Sequence, residues 1–379
     1  MEHYDIILYG GYGLGNFGDD ILMVSFLNSL HQVAPQSTMA ISVVVDNRDY
    51  LANFAKGIDI LDRNLSARVH CKALIYGGGT QWYSFPNTTA DPHNDEFRPV
   101  EAIKRIVKAG RQTTRRETPE RQQLIAESQL ALGIGIGPFL AGNQKKTLRE
   151  LRKCDYIGVR DPKSLEWCND HNLKQTRLRA DICYADEYWK SSAVQKAYRN
   201  NAPRIGIVAR DWNHTDEGSR YLPALIEAGK ELTRRGYEVR YLIFSKLREL
   251  QTMALLDAAK DNYAVWEPKE LSDIDEFLGQ MAACDLIISA RYHGIVAAAT
   301  LGIPTIAIEL EQKLSLVSRL LAPGCVLWNQ PFSRDQLLEQ VETALVEKDI
   351  RAEAMAANAL LQKKLAAQLI SDAAALIQL

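Results

Sequence analysis

A run of apolar residues at 286–290 leads directly into side chains that could do chemistry. Arg291 offers a permanent, forked positive charge for a phosphate or carboxylate, and His293 can move protons near neutral pH. Gly294 would let a ligand approach the backbone at the start of a following helix. If the run is a strand of a parallel sheet, this junction lies at its carboxyl end, where such sheets bind ligands. The structural alternatives are that Arg291 pairs with an acid such as Asp285 and that His293 caps the helix.

Two further cations occupy comparable positions. Arg210 follows an apolar run at 204–209, and Lys313 begins a predicted helix after the run at 305–308. Lysine is unfavourable at the positive end of a helix dipole, so its presence there suggests a bound anion. Because parallel strands end at one edge of a sheet, we expect these cations and His293 to line one pocket for a small, multiply charged anion. A nucleotide sugar is a second candidate ligand, although no apolar slot for its base is evident.

The segment GGYGLGNFGDD at residues 10–20 lies between the first predicted strand and the first predicted helix. Its glycines match the spacing of a dinucleotide-binding loop, but the turn is too long. Asp19 and Asp20 would also repel a pyrophosphate at the helix start. One remaining alternative is structural, with Asp19 as the helix cap. The other is a loop that holds a hydroxyl-bearing substrate, with Asp19 or Asp20 accepting its proton.

Two other segments are weaker candidates. Gly77, Gly78 and Gly79 follow a predicted strand and either expose the backbone to a ligand or make a sharp turn. Arg160 ends another predicted strand, and the next residue, Asp161, is expected to cap a helix that begins at a proline.

Composition limits the classes of protein that fit. The 379 residues exceed one ordinary α/β core, which predicts two domains. A net charge of −2 does not favour nucleic-acid binding. No run approaches the roughly 18 apolar residues of a membrane span, and no secretory signal is evident at the N-terminus. The six cysteines form no CxxC pair, which predicts reduced thiols in the cytoplasm and no structural zinc; no His/Asp cluster suggests another metal.

Strand-like and helix-like segments alternate through most of the chain, which predicts an α/β fold with mostly parallel sheets. One of the predicted helices covers residues 119–127. A polar segment at 186–203 is expected to separate a first domain, residues 1–190, from a second, residues 200–350. Residues 351–379 are expected to form a final helix that could pack back on the first domain.

Together these motifs make the chain resemble the polysaccharide pyruvyl transferase family. Asn16-Phe17-Gly18-Asp19-Asp20 is similar to the opening motif of that family, and the resemblance covers about residues 4–320. The other matching segments, in the order of the family, are Gly77-Gly78-Gly79, Gly135-Ile136-Gly137-Pro138, Arg160-Asp161-Pro162-Lys163-Ser164, Ala180-Asp181, Arg291-Tyr292-His293, Gly302-Ile303-Pro304 and Lys313. Two departures are Asp20, where the family usually has Glu, and an unusually polar segment at 111–120.

The resemblance implies a GT-B-like architecture, in which two Rossmann-like domains face a cleft. It implies phosphoenolpyruvate as donor and co-substrate without a further cofactor, a sugar as acceptor, and a pyruvate ketal plus phosphate as products. On this interpretation the residues divide into three sets: donor binding by Arg210, Arg291, Gly294 and Lys313; catalysis by His293 with Asp19 or Asp20; and acceptor binding on the first domain by Asn16, Gly18, Gly78, Gly79 and Arg160.

Several alternatives stay open from the sequence. A lipid-linked oligosaccharide acceptor would place a cytoplasmic enzyme at the inner face of the cell membrane. A GT-B glycosyltransferase that uses a nucleotide sugar would have the same architecture. A non-catalytic carbohydrate-binding protein would bind sugar without consuming a donor.

Overall fold

The computed structural model describes residues 2–43, 47–63, 68–83, 123–139, 144–185, 202–212 and 214–377. Within these residues the chain forms two parallel β-sheets with helices between the strands. Predictions for residues 84–122, including the whole polar segment at 111–120 and residues 119–122 of the predicted 119–127 helix, lie outside the described residues. So does most of the predicted domain boundary, and the domain bounds therefore stay a prediction.

The first sheet has the strand order β3-β2-β1-β4-β5-β6-β7. Its elements, in chain order, are β1 (Glu2–Tyr9), α1 (Phe17–Val33), β2 (Met39–Val43), α2 (Arg48–Leu51), β3 (Asp59–Asp62), β4 (Arg68–Trp82), β5 (Gln123–Ile136), α3 (Gln144–Leu151), β6 (Tyr156–Val159), α4 (Pro162–Asp170) and β7 (Thr176–Leu178). A short 3₁₀ turn, Ile182–Tyr184, follows.

The second sheet has the order β10-β9-β8-β11-β12-β13. Its elements are β8 (Arg204–Val208), α5 (Glu217–Arg234), β9 (Glu238–Ile243), α6 (Leu250–Ala259), β10 (Tyr263–Val265), α7 (Asp273–Ala282), β11 (Leu286–Ser289), α8 (Tyr292–Thr300), β12 (Thr305–Ile308), α9 (Gln312–Leu320), β13 (Cys325–Trp328), α10 (Arg334–Val346) and α11 (Lys348–Ile377). Both orders reverse direction beside their first strand, as in Rossmann folds. The predicted fold class is confirmed.

The central strands of the second sheet are apolar because they are covered on both faces. All residues of β11 and β12 are buried, as expected for a parallel sheet between helices. Ser289 of β11 pairs with Val208 of β8 and with Ala307 of β12, so the three strands end at the same level. Side chains just beyond these ends therefore share one edge of the sheet.

The start of α1 joins the first half of the chain to the second. The Phe17 ring packs edge-on against Phe244 and Trp266 at centroid distances of 4.8 and 4.9 Å. The Phe17 backbone N–H donates to the Phe244 carbonyl at 2.9 Å, and Trp266 Nε1 donates to Asp20 Oδ2 at 2.8 Å. Because these groups are buried, one apolar core continues from one sheet to the other.

The last helix, α11, returns to the first sheet. Asp372 accepts hydrogen bonds from Tyr156 Oη at 2.5 Å and from Arg179 Nη2 at 2.7 Å. The helix α11 also contacts α8 of the second half, so α11 packs against both parts of the chain. In the described part of the chain, every helix is too short or too polar to cross a membrane.

One element prediction is wrong where the structure describes it. Residues 123–127, expected to be helical, begin the long strand β5, and Gln123 pairs with Arg68 of β4. Pairing along the whole of β4 outweighs a local sequence that favours a helix. Sequence patterns also missed three strands and two helices, namely β3, β7, β13, α2 and α10.

Candidate functional site

A cavity of about 120 Å³ lies where the carboxyl edges of the two sheets meet. Both halves of the chain line it. The first sheet contributes Asn16, Gly18, Asp19, Gly79, Thr80, Tyr83, Gly135, Ile136, Gly137, Pro138, Arg160 and Asp161; the second contributes Arg210, Phe244, Arg248, Arg291, Tyr292, His293, Glu311, Gln312, Lys313 and Leu316. The predicted donor cations and His293 therefore share one cavity with most of the predicted acceptor residues.

Register explains why Arg210 and Arg291 lie together. Ser289 and Val208 are paired, and each arginine lies two residues beyond its member of that pair. Arg291 does not pair with Asp285, which instead accepts from Lys348 Nζ at 2.5 Å. It donates to Glu249, a fully buried acid whose other oxygen accepts from the Ser245 backbone N–H at 2.9 Å. Glu249 thus fixes the direction of the Arg291 fork.

The cations crowd one another as well as pairing with acids. Burial, together with the charges of Arg210 and Arg248, lowers the pKa of Arg291. Burial also lowers the pKa of Lys313, with Arg210 and Arg160 adding to the effect and Glu311 opposing it. Positive groups in one small cavity repel each other, so binding of an anion there would relieve an existing strain.

A carboxylate lies between two of these cations. Glu311 Oε1 accepts from Arg210 Nη1 at 2.5 Å and from Lys313 Nζ at 2.9 Å. The Arg210 guanidinium also lies over the Trp212 ring, 4.6 Å from its centroid. Glu311 and Trp212 together hold the two cations at the edge of the sheet.

His293 lies against a buried ion pair from the first half of the chain. Its Nε2 is 3.5 Å from Asp181 Oδ2, and the same oxygen accepts from Arg160 Nη1 at 2.8 Å. Burial alone would raise the pKa of Asp181, but His293 and Arg160 hold it below its usual range. Asp181 is therefore a fixed negative charge beside the His293 imidazole.

Asp181 and His293 also form, with Cys183, a group of potential metal ligands. The three ligand atoms lie within 4.8 Å of one another and all three residues are buried. The Arg160 guanidinium, however, already neutralises Asp181 from 2.8 Å and would repel a second cation. The arrangement is better explained as an Arg160–Asp181 ion pair in contact with His293, and the sequence-based expectation of a metal-free site stays a prediction.

Gly18 leaves space for the imidazole of His293, the candidate catalytic residue. A side-chain carbon at this position would lie 2.6 Å from His293 Nδ1 and 3.0 Å from its Cβ. The imidazole therefore lies directly on the first turn of α1, and only glycine permits this approach. Gly18 lines the cavity as predicted, but its main effect is on the position of His293.

Asn16 rather than Asp19 caps α1. Asn16 Oδ1 accepts from the Gly18 backbone N–H at 3.3 Å, and its Nδ2 donates to Asp19 Oδ2 at 2.5 Å. The structural alternative for Asp19, as the helix cap, is therefore wrong. Asp19 is left on the cavity wall, where its carboxylate could receive a proton.

Arg160 lines the cavity but is largely occupied by protein partners. Besides Asp181 it donates to Thr80 Oγ1 at 3.1 Å, and it lies 3.8 Å from the centroid of the Tyr292 ring. These contacts favour a role in holding the Asp181 carboxylate over the predicted role in binding an acceptor.

Three predicted site residues lie behind the cavity wall. Asp20 is fully buried and accepts from Tyr50 Oη at 2.5 Å and from Trp266. A side chain at Gly78 would collide with Leu22, and one at Gly294 would lie 2.4 Å from Ser289 Oγ. These glycines permit close packing, and we correct the prediction that the three residues touch substrate.

Sequence reasoning missed the acids that organise the cations. Asp181 was part of a recognised motif without a role, and Glu311 is two residues from Lys313 in the chain. Glu249 had no local signal, because it meets Arg291 only through folding.

Known structures share the fold at low sequence identity. The UDP-GlcNAc 2-epimerase from Neisseria meningitidis bound to UDP-GlcNAc is 13% identical, with 98% of this chain and 99% of that chain covered at a TM-score of 0.55. Anabaena HepE in complex with UDP is 12% identical, with 99% of each chain covered at 0.55. S. aureus MnaA with UDP is 10% identical, with 97% and 94% covered at 0.56. These likenesses confirm the GT-B-like fold.

Sequence comparison narrows the assignment further. No curated protein matches the chain at a significant level. The family model described as polysaccharide pyruvyl transferase, however, matches residues 3–311, which include every cation-bearing strand end except Lys313. The chain therefore belongs to the polysaccharide pyruvyl transferase family.

Proposed function

We propose that this protein transfers the pyruvate unit of phosphoenolpyruvate onto two hydroxyls of a sugar, forming a ketal and releasing phosphate. Membership of the family supports a transferase. The observation that carries the finer proposal is the gathering of Arg210, Arg291, Lys313 and His293 in one small cavity. Phosphoenolpyruvate has a phosphate and a carboxylate on adjacent atoms, so it needs several cations within a short distance.

The second sheet provides the donor side in this proposal. Arg210, Arg291 and Lys313 hold the phosphate and carboxylate, and Arg248 adds a fourth cation to the same wall. Their charges stabilise the phosphate as it leaves, since donors fixed before reaction need no reorganisation.

His293 is the proposed acid. Its imidazolium gives a proton to the methylene carbon of the donor, which becomes a methyl group and leaves cationic character at the central carbon. The first acceptor hydroxyl bonds to this carbon and releases its proton to Asp19. The second hydroxyl then displaces phosphate and returns a proton to His293, while the proton on Asp19 leaves with the phosphate.

The first sheet provides the acceptor side. Asn16, Asp19 and Gly79 line the same cavity as the donor cations, so a sugar held there would present its hydroxyls to the reacting carbon. The identity of the sugar, a lipid-linked acceptor, and a cytoplasmic location at the inner face of the membrane stay predictions.

Phosphate release from phosphoenolpyruvate, measured with a panel of acceptor glycans, tests the proposal. We expect release that depends on both substrates and a ketal in the product. His293→Ala should fold but lose turnover, whereas His31→Ala, which changes an exposed histidine on α1, should not. Stabilisation by UDP or GDP sugars but not by phosphoenolpyruvate would instead support a nucleotide-sugar glycosyltransferase. Near-normal ketal formation by His293→Ala would refute the role of this residue.

A further inference from the structure

The donor side of the cavity contains an acid where an anion is expected to bind. The Glu311 side chain is 5% exposed and shares one oxygen between Arg210 and Lys313. Burial opposes its charge, yet Lys313 and Arg210 lower the pKa of Glu311 to about 2. Glu311 is therefore ionised at every pH at which the protein would work.

A carboxylate in this position has two opposite effects on an incoming anion. Through its hydrogen bonds it keeps Arg210 and Lys313 in place, which lowers the ordering cost of binding. Through its charge it repels the phosphate of the donor and of the product. Glu249 differs in this respect, because it contacts Arg291 from behind and does not line the cavity.

The repulsion matters most after the transfer. A wall with Arg210, Arg248, Arg291 and Lys313 also attracts the free phosphate that the transfer leaves behind. Tight binding of this product would delay its release and slow turnover. A fixed negative charge on the same wall weakens the hold on phosphate while it leaves the cations in position.

We propose that Glu311 sets the anion affinity of the donor site, holding Arg210 and Lys313 in place while its charge promotes the departure of phosphate. This inference rests on the proposed function, because it takes the released anion to be phosphate. One acid beside the cations would thus decide how strongly the donor site attracts an anion.

Matched substitutions separate charge from position. Glu311→Gln keeps an oxygen that accepts from Arg210 and Lys313 but removes the negative charge. We expect it to bind inorganic phosphate and phosphoenolpyruvate about tenfold more tightly, a change of ~1.4 kcal/mol. Its turnover should fall, and inhibition by added phosphate should become stronger. Glu309→Gln is the control, since this acid lies in the same segment and does not line the cavity.

Two variants with shorter side chains at position 311 make the same comparison of charged and uncharged groups. Glu311→Asn should bind phosphate more tightly than Glu311→Asp, because the two differ only in charge. Titration calorimetry of each variant with inorganic phosphate and with phosphoenolpyruvate gives the affinities. A loss of packing caused by the shorter side chain is common to both variants, so it would weaken phosphate binding in both and would not make Glu311→Asn the tighter binder.

The outcomes distinguish this inference from the proposed function. Equal or weaker phosphate binding by Glu311→Gln, or by Glu311→Asn relative to Glu311→Asp, would overturn the role of Glu311. If the native protein bound inorganic phosphate but not phosphoenolpyruvate, the proposed donor would be wrong, and the phosphate affinities would still decide the role of Glu311.

Discussion

Asp20 provides a sharp test of structural against catalytic roles. It lies beside Asp19 in the motif that suggested a base, yet it is fully buried between Tyr50 and Trp266. Burial raises its pKa from 3.8 to about 7, despite the hydrogen bonds from those two side chains. Asn at this position keeps an oxygen to accept both bonds and carries no charge.

The raised pKa makes the free energy of unfolding depend on pH. Below pH 4 the carboxyl group is protonated in the folded and the unfolded chain, so it contributes nothing. Between pH 4 and 7 the unfolded chain releases this proton while the folded chain keeps it, so stability falls by about 1.4 kcal/mol per pH unit. Above pH 7 the accumulated loss is of the order of 4 kcal/mol.

Urea denaturation of the native protein and Asp20→Asn across pH 4.5–8 measures this effect. Other groups titrate equally in both proteins, so the difference between the two curves isolates Asp20. We expect Asp20→Asn to gain stability relative to the native protein as the pH rises to 7, and ketal formation to persist. Parallel stability curves would refute the burial argument. Loss of turnover in a folded Asp20→Asn protein would restore the catalytic role.

Two further predictions concern the surroundings of His293. Gly18→Ala should reduce turnover by ~100-fold because the new methyl group displaces the imidazole. Gly11→Ala is the control and should leave the steady-state rate unchanged, because a side-chain carbon there meets no atom within 4 Å. Equal rates for the two variants would show that the close approach of Gly18 to His293 is unimportant. Asp181→Asn should slow ketal formation by ~100-fold with little change in KM for phosphoenolpyruvate, because the His293 imidazole loses the carboxylate that lies 3.5 Å from its Nε2 and orients it. An unchanged turnover rate would contradict this positioning role.

Local patterns predicted the elements that position the donor side. The strands β8, β11 and β12 are short apolar runs that end in a charged or small residue, and their covering on both faces matches that pattern. The edge strand β7, TRL, has no comparable signal and exists because β6 offers a partner. The first half of β5 likewise depends on pairing with distant residues of β4.

The site shows the same division between local and long-range information. Positive residues at strand ends could be predicted to meet, because parallel strands share an edge. Their counter-ions could not, since Glu249 meets Arg291 across 42 residues and Asp181 reaches His293 from the other sheet. Likewise, the motif around Asp20 suggested a catalytic base. Nothing in that motif shows that the indole of Trp266, 246 residues away in the chain, donates a hydrogen bond to this carboxylate.

The contact between His293 and Asp181 joins side chains from the two halves of the chain. The imidazole belongs to the half of the chain that contains Arg210, Arg291 and Lys313, whereas Asp181 belongs to the half that contains the first sheet. Neither half of the chain by itself contains both members of this contact. On the proposed mechanism the acid therefore depends on both halves of the chain being assembled, and separating them would take the carboxylate away from the imidazole.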